Sequence, residues 1–330
     1  MHEQHPTKFF ARELSPTLCG GLGMSDLQGR VAIVTGGGKG LGRAFALHLA
    51  AHGAAVVVNN RNREVDDAGL GPADHVVAEI EAAGGTALAD HSPVEDPHTP
   101  ERLVATCLER FGRLDILVTS AGISGAQMFH KTTADNFRTV MDINVIGTAL
   151  IAAEATRVMR EAGHGRVVLV SSTAGLHGEP TLSAYAASKG AVIALGRTIA
   201  MEGARKDVLT NVLLPYATTP MTAQGMDPRH ANAMRSELVA PVVTALADPE
   251  STINGQVIIA GGSGIRLGDA VEGATVALPH RALRPDALQQ LLKQSRSGAA
   301  QRYSDAQDAF QQFAADEAAL HRAEPEDSHV

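Results

Sequence analysis

Tyr185 and Lys189 are the residues whose types and spacing are best suited to moving a proton. They lie four residues apart in a segment with the pattern of a helix, so the phenol and the ammonium share one helical face. A phenol has an unperturbed pKa of about 10, and a nearby cation lowers that pKa by stabilising the phenolate. The pair therefore predicts general acid–base catalysis in which Tyr185 exchanges a proton with a substrate oxygen.

Two further polar residues join this pair as candidate catalytic groups. Ser172 precedes Tyr185 by 13 residues and follows a Val-rich run, at the edge of a parallel sheet where ligands bind. We expect its hydroxyl to hold the substrate oxygen. Asn144 lies within a helical pattern, and we expect it to hold a water that connects Lys189 to solvent.

Short strands and amphipathic helices alternate along the chain and must position these groups. Seven Val- and Ile-rich runs predict strands at residues 31–35, 54–59, 86–89, 116–119, 166–170, 208–214 and 257–260. Helical patterns such as those at residues 44–52 and 73–83 separate them. This alternation predicts an α/β fold, a doubly wound parallel seven-stranded sheet with helices on both faces.

The segment between the first strand and the first helix is rich in glycine. It reads Thr35-Gly36-Gly37-Gly38-Lys39-Gly40-Leu41-Gly42, and glycine lets the backbone approach a pyrophosphate at the helix N-terminus. A Walker loop is disfavoured, because Gly40 rather than Ser or Thr follows Lys39. We therefore predict a dinucleotide cofactor held in this turn, with contacts at Gly36, Gly38, Lys39, Gly40 and Leu41. The positive charge of an oxidised nicotinamide would also help Lys189 to lower the pKa of Tyr185.

The end of the second strand indicates which dinucleotide is bound. An acidic residue at this place would bind the ribose 2′-hydroxyl of NAD, but the sequence is Asn59-Asn60-Arg61. Asn60 does not repel a 2′-phosphate, and Arg61 is able to pair with one. We expect NADP(H) to be favoured over NAD(H).

The motifs occupy the middle of the chain and leave two flanks. Residues 1–27 are predicted to be a flexible N-terminal arm, residues 28–265 the catalytic domain, and residues 266–330 a helical C-terminal extension. Residues 218–234 follow the sixth predicted strand and are expected to form a flexible lid over an apolar substrate. The methionines of this segment are Met221, Met226 and Met234.

Composition and charge exclude several classes of protein. The formal net charge is −8 and no block of Lys and Arg occurs, so we expect no nucleic-acid partner. Cys19 and Cys107 form no CxxC pair and the 14 histidines show no metal-ligand spacing, so we predict free thiols and no metal site. The N-terminus lacks the apolar core of a signal peptide, and no apolar run is long enough to span a bilayer. We expect a cytoplasmic protein without membrane contact.

The glycine turn, Asn144, Ser172 and the Tyr185-x-x-x-Lys189 motif occur in an order that resembles the short-chain dehydrogenase/reductase family. The likeness covers about residues 28–265. It implies a Rossmann-type fold, NAD(P)-dependent oxidoreduction and a homodimer or homotetramer. It also implies that Asn144, Ser172, Tyr185 and Lys189 act together as a catalytic tetrad.

A narrower resemblance is to the (3R)-hydroxyacyl-CoA dehydrogenase domain of peroxisomal multifunctional enzyme type 2 and its bacterial relatives. It rests on Val56-Val57-Val58-Asn59, the insert at residues 61–71 and the loop at residues 215–222. Where the family has Asn-Asn-Ala-Gly, this chain has Thr119-Ser120-Ala121-Gly122, which weakens a sheet-bracing contact and an adenosine contact. The further cofactor contacts that the two likenesses imply are Pro93, Val94, Ser120, Ala121, Gly122, Pro215, Ala217 and Thr218.

The predicted function is that of an NAD(P)(H)-dependent oxidoreductase that interconverts a secondary alcohol and a ketone. We expect an apolar substrate, and 3-hydroxyacyl-CoA-type thioesters are the leading candidates. A 3-oxoacyl-carrier-protein reductase and a hydroxysteroid or cyclic-alcohol dehydrogenase are the enzyme alternatives. A regulator that senses NADP(H) without turnover is the alternative from another class, and the intact tetrad disfavours it.

Overall fold

The computed structural model describes residues 25–61, 64–222, 227–279 and 283–323. Eight strands form one sheet: β1 Val31–Thr35, β2 Ala55–Asn59, β3 Thr86–Asp90, β4 Ile116–Thr119, β5 Gly165–Val170, β6 Val208–Tyr216, β7 Val257–Gly261 and β8 Gly264–Leu267. They lie in the order β3-β2-β1-β4-β5-β6-β7-β8. Each neighbouring pair is parallel except β7 with β8. The prediction of a doubly wound, mostly parallel sheet is confirmed.

Helices connect the strands and continue after the sheet. Their bounds are α1 Gly40–Ala51, α2 Pro72–Ala82, α3 Thr99–Phe111, α4 Ala134–Met141, α5 Thr148–Ala162, α6 Ala174–His177, α7 Ser183–Gly203, α8 Pro228–Ala231, α9 Ala240–Ala247, α10 Pro285–Ser297 and α11 Ala306–Ala323. A π-helical turn, Asp142–Gly147, joins α4 to α5. Such turns often mark functional sites in helices.

The core of the sheet is aliphatic on both faces. Every residue of β1 is buried. Ala32 and Val34 belong to the cluster that α1, α2 and α9 cover, whereas Val31 and Ile33 belong to the cluster that α3, α5 and α7 cover. Because successive side chains of a strand point to opposite faces, a strand buried on both faces needs an unbroken apolar run. This requirement explains why the Val- and Ile-rich segments became the central strands.

The eighth strand corrects the prediction of seven. β8 pairs antiparallel with β7 after a turn in which Gly262 has a φ of 55°. All four residues of β8 are exposed, so the strand lacks the buried run that marks the others. An exposed edge strand is held by backbone hydrogen bonds, which the pattern of side chains does not reveal.

The chain divides into two compact units between Leu267 and Gly268. The second unit contains α10 and α11, and in it the Thr275 hydroxyl donates a hydrogen bond to Asp316 of α11 at 2.8 Å. Most of the predicted N-terminal arm, residues 1–24, lies outside the described residues. Leu27, at the end of that arm, is fully buried in the core of the first unit.

One helical run differs from the expectation that no apolar segment is long enough to span a bilayer. The run Ala134–Ala162 is long and apolar enough, by length and composition, to cross a membrane. Its buried residues include Ile151, Ala155 and Met159, which pack in the cluster beneath the sheet. A helix that covers a sheet with an apolar face is typical of a protein core.

Candidate active site

The glycine turn between β1 and α1 forms one wall of a cleft at the C-terminal edge of the sheet. Gly36 and Gly40 have φ values of 64° and 53°, a region that disfavours any other residue type. A Cβ atom on Gly36 would lie 2.7 Å from the backbone nitrogen of Ala121, so only glycine allows this approach. The first turn of α1 holds no acidic residue, and its N–H groups are suited to an anion.

The cleft has a volume of about 420 Å³ and lies where the strand order reverses, between β1 and β4. Ligands of open α/β sheets bind at such a point. The structure brings most of the predicted site residues together in its lining: Gly36, Lys39, Gly40, Leu41, Asn60, Arg61, Val94, Ser120, Ala121, Gly122, Tyr185, Lys189, Pro215 and Ala217.

Three predicted cofactor contacts lie just outside this lining. Gly38 faces α2, where a Cβ atom on it would be 2.6 Å from Cβ of Pro72. The Pro93 carbonyl accepts a hydrogen bond from Thr99 at 2.7 Å, and the Thr218 hydroxyl donates to the Ala231 carbonyl at 3.0 Å.

Asn144 is buried and clamps the loop that follows β4. Its Oδ1 accepts a hydrogen bond from the Ile123 amide, and its Nδ2 donates to the Ile123 carbonyl and to the Ser188 hydroxyl, all at 2.9 Å. Ser188 in turn donates to the carbonyl of Tyr185 at 2.7 Å. Both amide hydrogens of Asn144 are therefore used within the protein, and its predicted contact with a water stays a prediction.

Lys189 is buried and lines the cleft next to Tyr185. Its Nζ donates a hydrogen bond to the carbonyl of Val170, the last residue of β5, at 3.0 Å. Burial disfavours the ammonium and lowers the pKa of Lys189 to about 8. The Nζ atom is 5.6 Å from the centre of the Tyr185 ring, within range of a cation–π contact.

The pKa of Tyr185 differs in direction from the expectation. Burial raises the pKa of the Tyr185 phenol, and a hydrogen bond with Ser172 offsets only part of this rise. Ser172 also accepts a hydrogen bond from the Ala174 amide at 3.1 Å, which fixes its position after β5. The side chains of the protein alone therefore favour the neutral phenol. A lower pKa for Tyr185 requires an additional positive charge near the phenol, such as the charge of an oxidised nicotinamide.

We call Asn144, Ser172, Tyr185 and Lys189 the inner end of the cleft: Tyr185 and Lys189 are part of its lining, whereas Ser172 and Asn144 are not and contact it through hydrogen bonds to Tyr185 and Ile123. Its outer end comprises Lys39, Arg61 and Glu95 of the lining together with Glu64, the partner of Lys39. At the outer end each cation is paired with a carboxylate. Lys39 Nζ lies 2.6 Å from Glu64, and Arg61 Nη1 lies 2.9 Å from Glu95. The Lys39 pair is exposed, whereas the Arg61 pair is half-buried.

The predicted lid is only partly at the cleft. Met221 lines the cleft and is half exposed. Met234 lines a separate depression formed with β7 and β8. Met226 lies outside the described residues. The Thr222 hydroxyl donates to the carbonyl of Ala217 at 2.7 Å, which folds residues 217–222 into a compact turn.

Several residues of the lining were not predicted from the sequence. They come from the ends of β2, β5 and β6, from the loops after β3, β4 and β5 and from the π-helical turn: Asn59, Val170, Tyr216, Ser92, Glu95, Ile123, Ser171 and Ile143. Most of them follow predicted strands, so the strand ends were the available signal. Glu95 carried no such signal, because its partner Arg61 is 34 residues away in the sequence.

Comparison with known proteins decides the family. The model of the short chain dehydrogenase family matches residues 30–230. The chain belongs to the short-chain dehydrogenase family. The Rossmann-type fold and the oxidoreductase class expected from the sequence are thereby confirmed.

Individual short-chain dehydrogenases show how far the likeness extends. A short-chain type dehydrogenase/reductase of Mycobacterium tuberculosis is 38% identical over 74% of this chain and 86% of its own length. Peroxisomal multifunctional enzyme type 2 of Drosophila melanogaster is 39% identical over 70% of this chain, which spans 38% of that enzyme. A crystal structure of a short chain dehydrogenase from Mycobacterium avium has a TM-score of 0.73 and 34% identity. It covers 83% of this chain and 98% of its own.

Short-chain dehydrogenases bind NAD(P), and the cleft fits such a cofactor. The approach of Gly36 to the loop after β4 leaves no room for a side chain beside the turn. The acid-free first turn of α1 suits a pyrophosphate. Thr119, where the family has Asn, is buried with its hydroxyl unpartnered among the described residues, in line with the weaker bracing expected there.

Proposed function

We propose that this short-chain dehydrogenase interconverts a secondary alcohol and a ketone in an apolar, thioester-linked substrate of the 3-hydroxyacyl-CoA type. The observation that carries the proposal is the position of Tyr185 and Lys189 in the lining of the cleft that begins at the glycine turn. A proton donor and a dinucleotide site in one cleft are what alcohol–ketone interconversion requires.

The residues of the inner end have separate tasks in this mechanism. A bound nicotinamide supplies or accepts the hydride. Tyr185 Oη gives its proton to the carbonyl oxygen during reduction and takes a proton from the hydroxyl during oxidation. Ser172, which hydrogen-bonds the phenol, holds the substrate oxygen beside it. Lys189 maintains positive charge beneath the phenol, and Asn144 holds the wall formed by Ile123 in place.

The apolar substrate is supported by hydrocarbon side chains in the lining of the cleft. Ile123, Ile143, Pro220 and Met221 contribute hydrocarbon surface to the lining. Such a surface suits an acyl chain better than a sugar, which would need several converging polar groups. The thioester is supported by the resemblance to the dehydrogenase domain of peroxisomal multifunctional enzymes, seen both in the motifs and in the Drosophila relative.

We also propose that NADP(H) is favoured over NAD(H). The first residue after β2 is Asn60, so no carboxylate stands at the usual place to repel a 2′-phosphate. Lys39 and Arg61 both line the cleft at the outer end. A planar guanidinium is well suited to bind a phosphate in bidentate fashion.

A cofactor-linked assay at 340 nm tests the proposed reaction. The purified protein would be incubated with NADP⁺ or NAD⁺ and a panel of (3R)- and (3S)-3-hydroxyacyl-CoA esters, steroid alcohols and small secondary alcohols. We expect the hydroxyacyl-CoA esters to give the highest kcat/KM. A preference for steroid or small cyclic alcohols would reject the proposed substrate class, and the Tyr185→Phe variant provides the blank.

A 3-oxoacyl-carrier-protein reductase is the second candidate function. A 3-oxoacyl-[acyl-carrier-protein] reductase of Synechocystis is 36% identical over 60% of this chain. An acidic carrier protein needs unpaired cations at the rim of the cleft. Arg229, in the segment predicted to be the lid, is already paired with Asp227 at 2.5 Å. Parallel assays with 3-oxoacyl-carrier protein and 3-oxoacyl-CoA, each with NADPH, separate the two candidates.

A further inference from the structure

The outer end of the cleft contains a half-buried ion pair to which the proposed reaction assigns no role. Arg61 Nη1 donates a hydrogen bond to Glu95 Oε1 at 2.9 Å, and the two side chains are 25% and 30% exposed. Arg61 follows β2 and Glu95 follows β3, and these strands are neighbours in the sheet. Both residues line the cleft. The fold thus places a carboxylate beside the cation that was expected to bind a 2′-phosphate.

The second carboxylate oxygen of Glu95 has an unusual environment. Glu95 Oε2 is buried and has no hydrogen-bond partner among the described residues. A buried acceptor without a donor is costly, and native proteins rarely leave one unsatisfied. Glu95 lines the cleft and its side chain is 30% exposed, so a rotation of the carboxylate turns an oxygen toward a donor on a ligand in the cleft.

The two halves of the ion pair suit different ligands. A guanidinium has five N–H donors, and the contact with Glu95 uses one, so Arg61 keeps donors for a phosphate. A ribose 2′-hydroxyl can donate to the Glu95 carboxylate, whereas a 2′-phosphate only accepts and is repelled by it. The other outer cation is also balanced, since Lys39 is paired with Glu64. Net charge at this end therefore does not decide between the two ligands.

We propose that Glu95 is a specificity-determining residue that lets the site bind NAD(H) and limits its preference for NADP(H). Glu95 replaces the acidic residue after β2 that would bind the ribose 2′-hydroxyl of NAD, but it lies in the loop after β3. Arg61 binds the 2′-phosphate of NADP(H), and the Glu95 carboxylate accepts a hydrogen bond from the 2′-hydroxyl of NAD(H). The inference rests on the proposed function only in that the cleft binds a nicotinamide dinucleotide.

Equilibrium binding of NADH and NADPH tests this role without any substrate. The dissociation constants of both cofactors would be measured by fluorescence titration for the wild type and for Glu95→Gln. The matched control is Glu101→Gln, which removes the same charge from an exposed position on α3. We expect Glu95→Gln to shift the ratio of NADPH to NADH affinity toward NADPH by about tenfold, through weaker NADH and tighter NADPH binding. The control should leave the ratio unchanged.

A conservative variant separates specificity from support of the fold. Glu95→Asp keeps the charge, so its ratio should lie closer to that of the wild type than the Gln variant does. An unchanged ratio in Glu95→Gln, or equal weakening of both cofactors, would overturn the proposal, because either result means a structural role.

The same titrations distinguish a failure of the proposed function from a failure of the proposed role of Glu95. Binding of both cofactors with the expected shift, but without turnover of any hydroxyacyl-CoA, upholds the role of Glu95 and rejects the substrate. Failure of the wild type to bind either cofactor rejects both.

Discussion

The two ends of the cleft are built on different physical principles. At the inner end, Asn144 and Lys189 are buried, and their polar atoms are satisfied by backbone carbonyls and neighbouring side chains. At the outer end, Lys39 and Arg61 are paired with carboxylates and reach the solvent. Burial makes each hydrogen bond of the inner end costly to lose, while at the outer end solvent screens the exposed Lys39 pair and, in part, the half-buried Arg61 pair. We therefore expect the inner end to control rate and stability and the outer end to control cofactor choice.

Removal of the phenolic hydroxyl at the inner end has the largest expected effect. Tyr185→Phe keeps the ring and its packing but removes the proton donor, so kcat should fall by about 10² to 10⁴, which is roughly 3–5 kcal/mol in the activation barrier. Cofactor binding, measured by fluorescence, should be retained. Arg61→Ala at the outer end should do the reverse, raising KM for NADPH while kcat is kept. A Phe variant with the kcat of the wild type would remove Tyr185 from the mechanism.

Loss of the clamp at Asn144 should lower stability. Asn144→Ala leaves the Ile123 amide and carbonyl without their buried partner and removes the donor to the Ser188 hydroxyl, which keeps its own bond to the Tyr185 carbonyl. We expect the free energy of unfolding, from urea titration, to fall by about 2–4 kcal/mol. Asn232→Ala, at an exposed position, is the control and should change it little. If both variants are equally stable, the inner end does not depend on this clamp.

Removal of the buried ammonium of Lys189 should raise the free energy of unfolding, by less than the loss of Asn144 lowers it. The pKa of Lys189 is about 8 in the folded protein and 10.5 in the unfolded chain. The unfolded chain therefore binds this proton more tightly, and stability falls as the pH is lowered from about 10.5 to about 8. Below pH 8 the whole cost is present. Lys189→Met should remove most of it and raise the free energy of unfolding at pH 7 by about 1–2 kcal/mol, although activity is lost.

A pH series gives the check on that prediction. The difference in stability between Lys189→Met and the wild type should shrink as the pH rises from about 8 to about 10.5, because the folded state has lost the proton in this range whereas the unfolded chain still holds it. A Met variant that is less stable than the wild type at pH 7 would show that the hydrogen bond to the Val170 carbonyl outweighs the burial of the charge.

The exposed ion pair of the outer end has the smallest expected effect. Glu64→Gln breaks the contact with Lys39, but both side chains are more than half exposed, and solvent screens such pairs. We expect no measurable change in melting temperature or in kcat. A clear loss of stability would mean that the outer end is not governed by screened charges, and the contrast between the two ends would fail.

Local sequence patterns predicted those parts of the site whose members are close together in the chain. The glycine turn follows from one strand–helix junction, and Tyr185 and Lys189 are one helical turn apart. Their placement at a common edge follows from parallel strands, whose carboxyl ends meet there. β8 escaped prediction because its four residues are exposed and carry no apolar run.

Local sequence patterns did not predict contacts between segments that are distant in the chain. Asn144 bonds Ile123 and Ser188, which lie 21 and 44 residues away, and nothing in their spacing indicates the clamp. The rise in the pKa of Tyr185 depends on how deeply the phenol is buried, which also results from tertiary packing.

The sequence by itself determined the alternation of strands and helices, the glycine turn and the residues able to move a proton, because each depends on neighbours along the chain. Only the tertiary structure decided that a carboxylate stands beside Arg61. The sequence showed no acid after β2, and Glu95 arrives there because β2 and β3 are paired in parallel register. Hydrogen bonding between strands brings together loops that the chain keeps 34 residues apart.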